Sequence, residues 1–360
     1  MNEPDRRVGG RGGGVGRRPG SGAPAVPRVR LVDVAREAGL SKTTVSAALN
    51  GTGRLSDAVR AHARETARRL GYRPNATARL LRAGHARLIG FAVREYVAAP
   101  WVYMESPYFT QLTNATARAA MEHGHALVLL PNHSGRDEWA DLPLDAVCIN
   151  DPIIDDPLVD DFLAAGIPVV SDRRVDGQPG GYWVDMDHDL AIRGVLDHLA
   201  DNGATDIVTL AAGSDTLFTV RSLEVQAQWA AERGVRTRVE VVEKPGYGHT
   251  LASVEKVLGD DDRPDALFIL TETSPLLVID AARRAGYRVP DDLLIVCVSE
   301  DGIAEHTDPG MTTLSLQPEE LALAAMELLV EALSGAAQDS RGIVVPTKLH
   351  IRGSTVRKSG

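Results

Sequence analysis

Between Leu88 and Val298 the chain repeats short apolar runs of four to six residues: Leu88–Val93, Ala126–Leu130, Ala146–Ile149, Ile167–Val170, Ile207–Leu210, Val239–Val242, Ala266–Leu270 and Leu294–Val298. Helical stretches lie between most of them: about 16 residues from Phe109, then Leu190–Ala200, Val220–Glu232, Ser253–Leu258 and Pro275–Ala285. Runs this short and this apolar, separated by helices, predict buried parallel strands covered on both faces. Roughly 270 residues are too many for one such sheet, so the spacing predicts two successive doubly wound lobes with a ligand cleft between them.

Residues 28–74 have another texture. Val32–Ala38 is a short amphipathic helix that Gly39 terminates. Ser41 is an N-cap for a second helix through Leu49, which Asn50-Gly51 stops. Ser56 can cap a third, with Val59, Ala63, Thr66, Ala67 and Leu70 at helical spacing and Gly71 beyond its end. Small Ala35 lets the first two helices approach, and Val34, Leu40, Val45 and Leu49 can form a little core. This is a small all-α helix-turn-helix head, whose second helix would present its first residues to base edges.

Charge supports that division. Residues 1–90 hold 18 Lys+Arg against 6 Asp+Glu, whereas residues 91–360 hold 21 against 43. A basic head on an acidic body fits a polyanion partner such as nucleic acid. Residues 1–27, rich in Gly and Arg, have almost nothing to bury and read as a disordered tail. Residues 75–86 read as a short helix and linker, and 87–360 as the two-lobed body.

Composition excludes several classes. No apolar run approaches the ~18–20 residues of a membrane span. The arginines near the start lack the apolar stretch of an export signal, which leaves the cytoplasm as the expected compartment. Cys148 and Cys297 are too few for a disulfide framework or a zinc site. His123, His125 and His133 lack metal-ligand spacing, Gly259-Asp260-Asp261-Asp262 lacks that of a calcium loop, and Ser134, Ser214 and Ser299 lie in no nucleophile motif. No enzyme activity, cofactor or metal is expected.

The stretch Val34-Ala35-Arg36-Glu37-Ala38-Gly39-Leu40-Ser41-Lys42-Thr43-Thr44-Val45-Ser46-Ala47-Ala48-Leu49-Asn50, with Leu70-Gly71-Tyr72-Arg73-Pro74-Asn75-Ala76 and Ala78-Arg79-Leu80-Leu81, resembles the DNA-binding head of the lactose/galactose-repressor (LacI/GalR) family. The resemblance resumes at Leu88-Ile89-Gly90, Arg288-Val289-Pro290-Asp291-Asp292-Leu293, Met311-Thr312-Thr313-Leu314 and Arg352-Gly353-Ser354-Thr355, in the order the family shows. It implies a hinge helix after the head, then a body like periplasmic sugar-binding proteins. It further implies a homodimer on a near-palindromic operator and a small effector, a sugar or related metabolite, that changes DNA affinity.

By position, the resemblance makes Lys42 and Thr43 base-reading residues, with Ala47 one turn on. Lysine can donate to guanine O6 and N7, and threonine offers a hydroxyl and a methyl. Lys42 could instead hold a phosphate, as Thr44 and Ser46 are expected to do if they do not pack locally. Ala47 departs from the longer polar side chain of many relatives and is left a thymine methyl or nothing. The segment Asn75–Arg82 is too short to hold a helix alone and should fold on DNA. There the resemblance makes Leu81 a minor-groove wedge, flanked by Arg79 and Arg82, unless Leu81 is a packing residue of a linker.

For the cleft the resemblance points to Arg221, suited to a bidentate contact, to Tyr108 and Phe109, and to Glu272. Phe109 could equally pack in the core. Ser299 stands where many relatives carry a sugar-clamping aspartate, which puts a plain monosaccharide in doubt; Asp187 could supply the carboxylate instead. A cleft that no longer signals, or an activator, therefore stays open within the family. A solute-binding protein would need an export signal and no head, and a sugar-metabolising enzyme would need a catalytic constellation.

Overall fold

A computed structural model describes residues 29–72, 85–94, 102–130, 142–175, 181–244, 246–335 and 341–357. The Asn75–Arg82 segment, with Asn75, Arg79, Leu81 and Arg82, lies outside these residues, as do 1–28 and His133. The chain divides into two compact units, the first ending at Gly84 and the second beginning at His85.

In the first unit three helices, α1 (Leu31–Glu37), α2 (Lys42–Asn50) and α3 (Asp57–Arg69), enclose a core of Val34, Ala35, Ala38, Val45 and Ala67. Leu40, Leu49, Leu70 and Tyr72 cover its edge. The α1–α2 turn needs Gly39, whose φ of +62° is the left-handed region that a Cβ disfavours. That turn lets the Leu40 N–H close on the Ala35 carbonyl at 3.0 Å.

The second unit holds two six-stranded sheets. The first uses β1 (Leu88–Val93), β2 (Ala126–Leu129), β3 (Ala146–Asn150), β4 (Val169–Ser171), β5 (Tyr182–Asp185) and β11 (Gly342–Val344) in the order β11-β5-β4-β3-β1-β2. All its pairs are parallel, with Ile89 between Leu127 and Ala146. Gly90 is demanded by packing, since a Cβ there would lie 2.8 Å from Leu130 Cδ1. With this sheet go α4 (Pro107–Glu122), α5 (Pro157–Ala164) and α10 (Pro318–Leu333).

The second sheet uses β6 (Asp206–Ala212), β7 (Arg236–Val242), β8 (Ala266–Ile269), β9 (Leu294–Val298), β10 (Thr312–Ser315) and β12 (Lys348–His350) in the order β12-β10-β9-β8-β6-β7. Helices α6 (His188–Asp201), α7 (Leu217–Arg233), α8 (Tyr247–Gly259) and α9 (Pro275–Arg284) complete that lobe. The chain passes between the sheets after β5, after β10 and between β11 and β12. The last passage has only residues 345–347, so β12 starts at the cleft end of its sheet and runs antiparallel to β10. That edge departs from the all-parallel expectation.

Strands β5, β10, β11 and β12 go beyond the apolar runs read from sequence. They have three or four residues each, and pairing decides their membership, not local apolarity. The terminal motif has a structural reason. Ser354 Oγ accepts the Thr312 N–H at 2.8 Å and donates to the Ile295 carbonyl at 2.7 Å, while Arg352 Nη1 donates to the Met311 carbonyl at 2.9 Å. The chain end thereby ties β9 to β10. Among the described residues no helix is long and apolar enough to cross a membrane.

Candidate functional site

The head presents the first turn of α2. Ser41 Oγ accepts the Thr44 N–H at 3.0 Å and lies 2.7 Å from Thr44 Oγ1, so the Thr44 hydroxyl is engaged in the cap. Val45 and Ala48 are fully buried, which turns Lys42 and Thr43 to solvent. Ala47 and Ser46 are half-buried, and the Ser46 carbonyl accepts from Asn50 Nδ2 at 2.7 Å. Two exposed donors at a helix N-terminus, on a helix pinned by its opposite face, form a surface that can enter a groove.

The second unit carries a cleft at the carboxyl ends of the strands of both sheets, the crevice where open α/β sheets bind ligands. Asp151 and Arg173 enter it just beyond β3 and β4, and Glu272, Ser299 and Glu300 just beyond β8 and β9. Tyr108 and Phe109 come from the first turn of α4, and Phe218 from that of α7. Of the effector residues expected from sequence, the structure brings Tyr108, Phe109, Glu272 and Ser299 to this cleft. Phe109 does both things left open for it: it is buried in the core and lines the cleft.

The first-lobe wall is a network of paired charges. Arg173, 2% exposed, lies 3.6 Å from Asp172 Oδ2 and 3.9 Å from Asp185 Oδ1, with its guanidinium carbon 5.4 Å from the centre of the Phe218 ring. Tyr108 Oη donates to Asp172 Oδ2 at 3.4 Å. Burial pushes the Asp172 carboxyl up against the pull of Arg173, and Asp151 adds to the rise.

Behind the lining residues, Asp185 is the hub of this network. It accepts from the Arg174 N–H at 2.9 Å, the Met186 N–H at 2.8 Å and Arg221 Nη1 at 3.1 Å, and His188 Nε2 stands 3.3 Å away. Burial opposes its ionisation, but His188 and Arg173 together hold it below the usual carboxylate range. Burial also lowers His188, which is neutral at pH 7.

Two of the residues expected in the cleft lie outside this lining. Asp187 is exposed and caps α6, accepting the Leu190 N–H at 2.9 Å; Asp185, two residues earlier, is the buried one, behind the lining residue Arg173. Arg221 does not line the cleft. Its Nη1 is held by Asp185 and its Nη2 donates to the Arg174 carbonyl at 2.6 Å, so it joins the lobes.

The second-lobe wall is built otherwise. Ser106, the N-cap of α4, accepts the Phe109 N–H at 3.4 Å and donates to Glu272 Oε1 of the other lobe at 2.6 Å, beside the cleft. Burial pushes the Glu272 carboxyl up to about 7, opposed by Ser106 and the Tyr108 N–H, with Glu300 and Asp301 raising it further. Its Oε2 is buried with no hydrogen-bond partner. Glu300 accepts from Ser315 Oγ at 2.8 Å and the Leu316 N–H at 2.7 Å, and burial raises it too. Ser299 Oγ accepts the Asp301 N–H at 3.1 Å. Asp151, Arg173, Phe218 and Glu300 were not singled out from sequence, although Asp151, Arg173 and Glu300 lie two or three residues beyond apolar strand runs.

Residues 30–75 match the description "Bacterial regulatory proteins, lacI family", and 196–355 match "Periplasmic binding protein-like domain". The transcriptional regulator PtxS of Pseudomonas putida is 30% identical over 339 residues, spanning 91% of this chain and 96% of the relative. Catabolite control protein A of Priestia megaterium is 24% identical over 91% of this chain and 99% of its own length. Among solved structures, a CelR–cellobiose complex is similar at 25% identity and a TM-score of 0.65, covering 91% of this chain and all of that one. A Lac repressor dimer bound to operator and an anti-inducer shares the fold, with a TM-score of 0.75 at 20% identity over 92% of this chain and all of the repressor's. The head, the two-lobed body and these likenesses agree: the chain belongs to the LacI family of DNA-binding transcriptional regulators and is not an enzyme.

Proposed function

We propose that the chain is a cytoplasmic repressor that acts as a homodimer on near-palindromic operator DNA. Lys42 and Thr43 read bases, Thr44, Ser46 and Ala47 border the contact, and Asn75, Arg79, Leu81 and Arg82 belong to a hinge segment that folds on the minor groove. On this reading residues 1–27 are a tail, 28–74 the reader, 75–86 the hinge, and 87–360 the effector-binding and dimerisation body. A small polyhydroxyl metabolite binds in the cleft and shifts operator affinity; the relative CelR was solved with cellobiose, and the Lac repressor as a dimer on its operator.

The observation that carries this reading is that one cleft is lined from both lobes. The lobes also touch beside it, through Ser106 on Glu272 and through the Leu217 N–H on the Pro152 carbonyl at 2.8 Å. A ligand there bears on the arrangement of the lobes. Coupling of that kind is reciprocal, and ~1–3 kcal/mol corresponds to about 5–150-fold regulation.

The test is footprinting of the purified protein on genomic DNA, with and without a metabolite panel. Discrete palindromic sites released by one compound are expected, together with a steep loss of affinity as salt rises. Leu81→Ala should weaken operator binding sharply while the body still dimerises. A folded dimer with no specific sites would overturn the reading.

A further inference from the structure

Both walls of the cleft leave buried polar atoms without a hydrogen-bond partner among the described residues, Arg173 Nε and both His188 nitrogens on the first and Glu272 Oε2 on the second. The first wall pairs its charges and the second does not, and that difference bears on the ligand's charge. On the first wall the cation is already committed: Arg173 lies against Asp172 and Asp185 and donates to the Asp172 carbonyl. On the second wall, Glu272 and Thr271 line the cleft, and Glu272 Oε2 and Thr271 Oγ1 are buried with no hydrogen-bond partner among the described residues. Around the Glu272 carboxyl stand the Ser106 hydroxyl, the Tyr108 N–H, the Tyr247 phenol and the Cys297 thiol. The ionisable acids on the same side are Glu105, Glu300 and Asp301, all of one sign. A carboxylate without a counter-ion in a low-dielectric cleft is costly, and it is relieved by protonation or by a cation.

We propose that the effector carries a protonated amine, and that Glu272 is the residue that binds it: an ammonium-bearing polyol of sugar size. The inference rests on the cleft being the effector site and names the class of ligand it takes. An ammonium supplies both the missing donor to Oε2 and the missing positive charge, whereas a hydroxyl supplies only the first. An anionic ligand would meet Asp151, Glu272 and Glu300 in one cavity, with Arg173 already shared between two aspartates. Apolar Phe218, Leu270 and Val298 leave room for the carbon face of the ring. The absence of an aspartate at Ser299 fits the same picture, since the carboxylate that recognises the ligand sits on the neighbouring strand end.

Calorimetric titration of the full-length protein at neutral pH decides it. The probes are glucosamine, galactosamine and mannosamine, each beside its neutral parent hexose and the matching aldonic acid. At least one amine should bind about 10-fold tighter than its neutral parent, a difference of about 1.4 kcal/mol, and its acid should not bind. That advantage should grow from about pH 6 to about pH 7 as Glu272 loses its proton. Glu272→Gln should reduce the amine-to-parent ratio to about one. A neutral hexose or an aldonic acid that binds as well as its amine and releases operator would overturn the amine assignment and leave the cleft as the effector site. If no hexose of any charge binds, both the assignment and the sugar-sized effector fall. The wild-type comparison and its pH profile need no variant, so a Glu272→Gln chain that fails to fold does not rescue the idea.

Discussion

The two walls of the cleft solve the same electrostatic problem in opposite ways. On the first, Asp172, Asp185, Arg173 and Arg221 neutralise one another, with His188 kept uncharged among them. On the second, Glu272 and Glu300 are held by hydroxyl and backbone donors and, among the described residues, by no cation. Paired buried charges cost little while both partners remain, and a great deal when one is removed. Carboxyls supported only by neutral donors instead keep their protons to a higher pH. The first wall is therefore a brace of paired charges, although burial raises Asp172 within it, and the second offers a ligand a carboxylate that no cation holds among the described residues.

The largest expected effect tests the brace. Arg173→Met leaves Asp172 and Asp185 without their shared guanidinium and should cost about 3–5 kcal/mol in urea unfolding. A loss below about 1 kcal/mol would mean that the network is not a unit. Next comes the pH dependence, where Glu272 on the second wall and Asp185 with His188 behind the first should have opposite signs, while Asp172, raised by burial, shares the sign of Glu272. Glu272 titrates near 7 in the fold instead of 4.5, so its contribution is complete below the ordinary value and fades as pH rises through about 7. Glu272→Gln should flatten that alkaline slope by roughly 2–3 kcal/mol between about pH 5 and about pH 8. Asp185 lies below its ordinary 3.8 and His188 below 6.5, so what they contribute is lost as pH falls, His188 first. Equal slopes in the wild type and Glu272→Gln would erase the distinction between the walls.

A smaller effect is expected in the head. Lys42→Ala should weaken operator binding by about 1–2 kcal/mol in a titration at fixed salt, with relaxed base preference if Lys42 reads a guanine. Loss that is uniform across sequences would instead make it a phosphate contact. The smallest effect is Ser106→Ala, which removes the cap of α4 and the donor to Glu272 together. It should cost about 1 kcal/mol and move the alkaline slope to higher pH.

Legibility followed the range of the interactions involved. The helix-turn-helix was readable because its determinants are local: Ser41 caps the helix that follows it directly, and Gly39 and Gly51 take up left-handed φ at the two helix ends. Strand runs were readable where both faces are buried, as in Ile89–Val93 and Leu294–Val298. The polar strands β5 and β12 were not, because only their neighbours make them strands. Tyr108 and Glu272 line the cleft, as their positions suggested, whereas Asp187 and Arg221 lie outside its lining. One helix cap occupies Asp187 and one ion pair holds Arg221.

By itself the sequence determined the class of the molecule: a capped three-helix reader, an acidic body of alternating strands and helices, and the motifs that make it a LacI-family regulator. Tertiary structure alone decided which charges face each other across the cleft. Arg173, Asp185 and Arg221 are separated by 12 and 36 residues along the chain, and only the passages between the sheets bring them together. Local propensity acts over a few residues, but an ion pair or an orphaned carboxylate depends on which strand ends the fold sets side by side. The identity of the brace, and of the carboxylate left without one, therefore follows from topology.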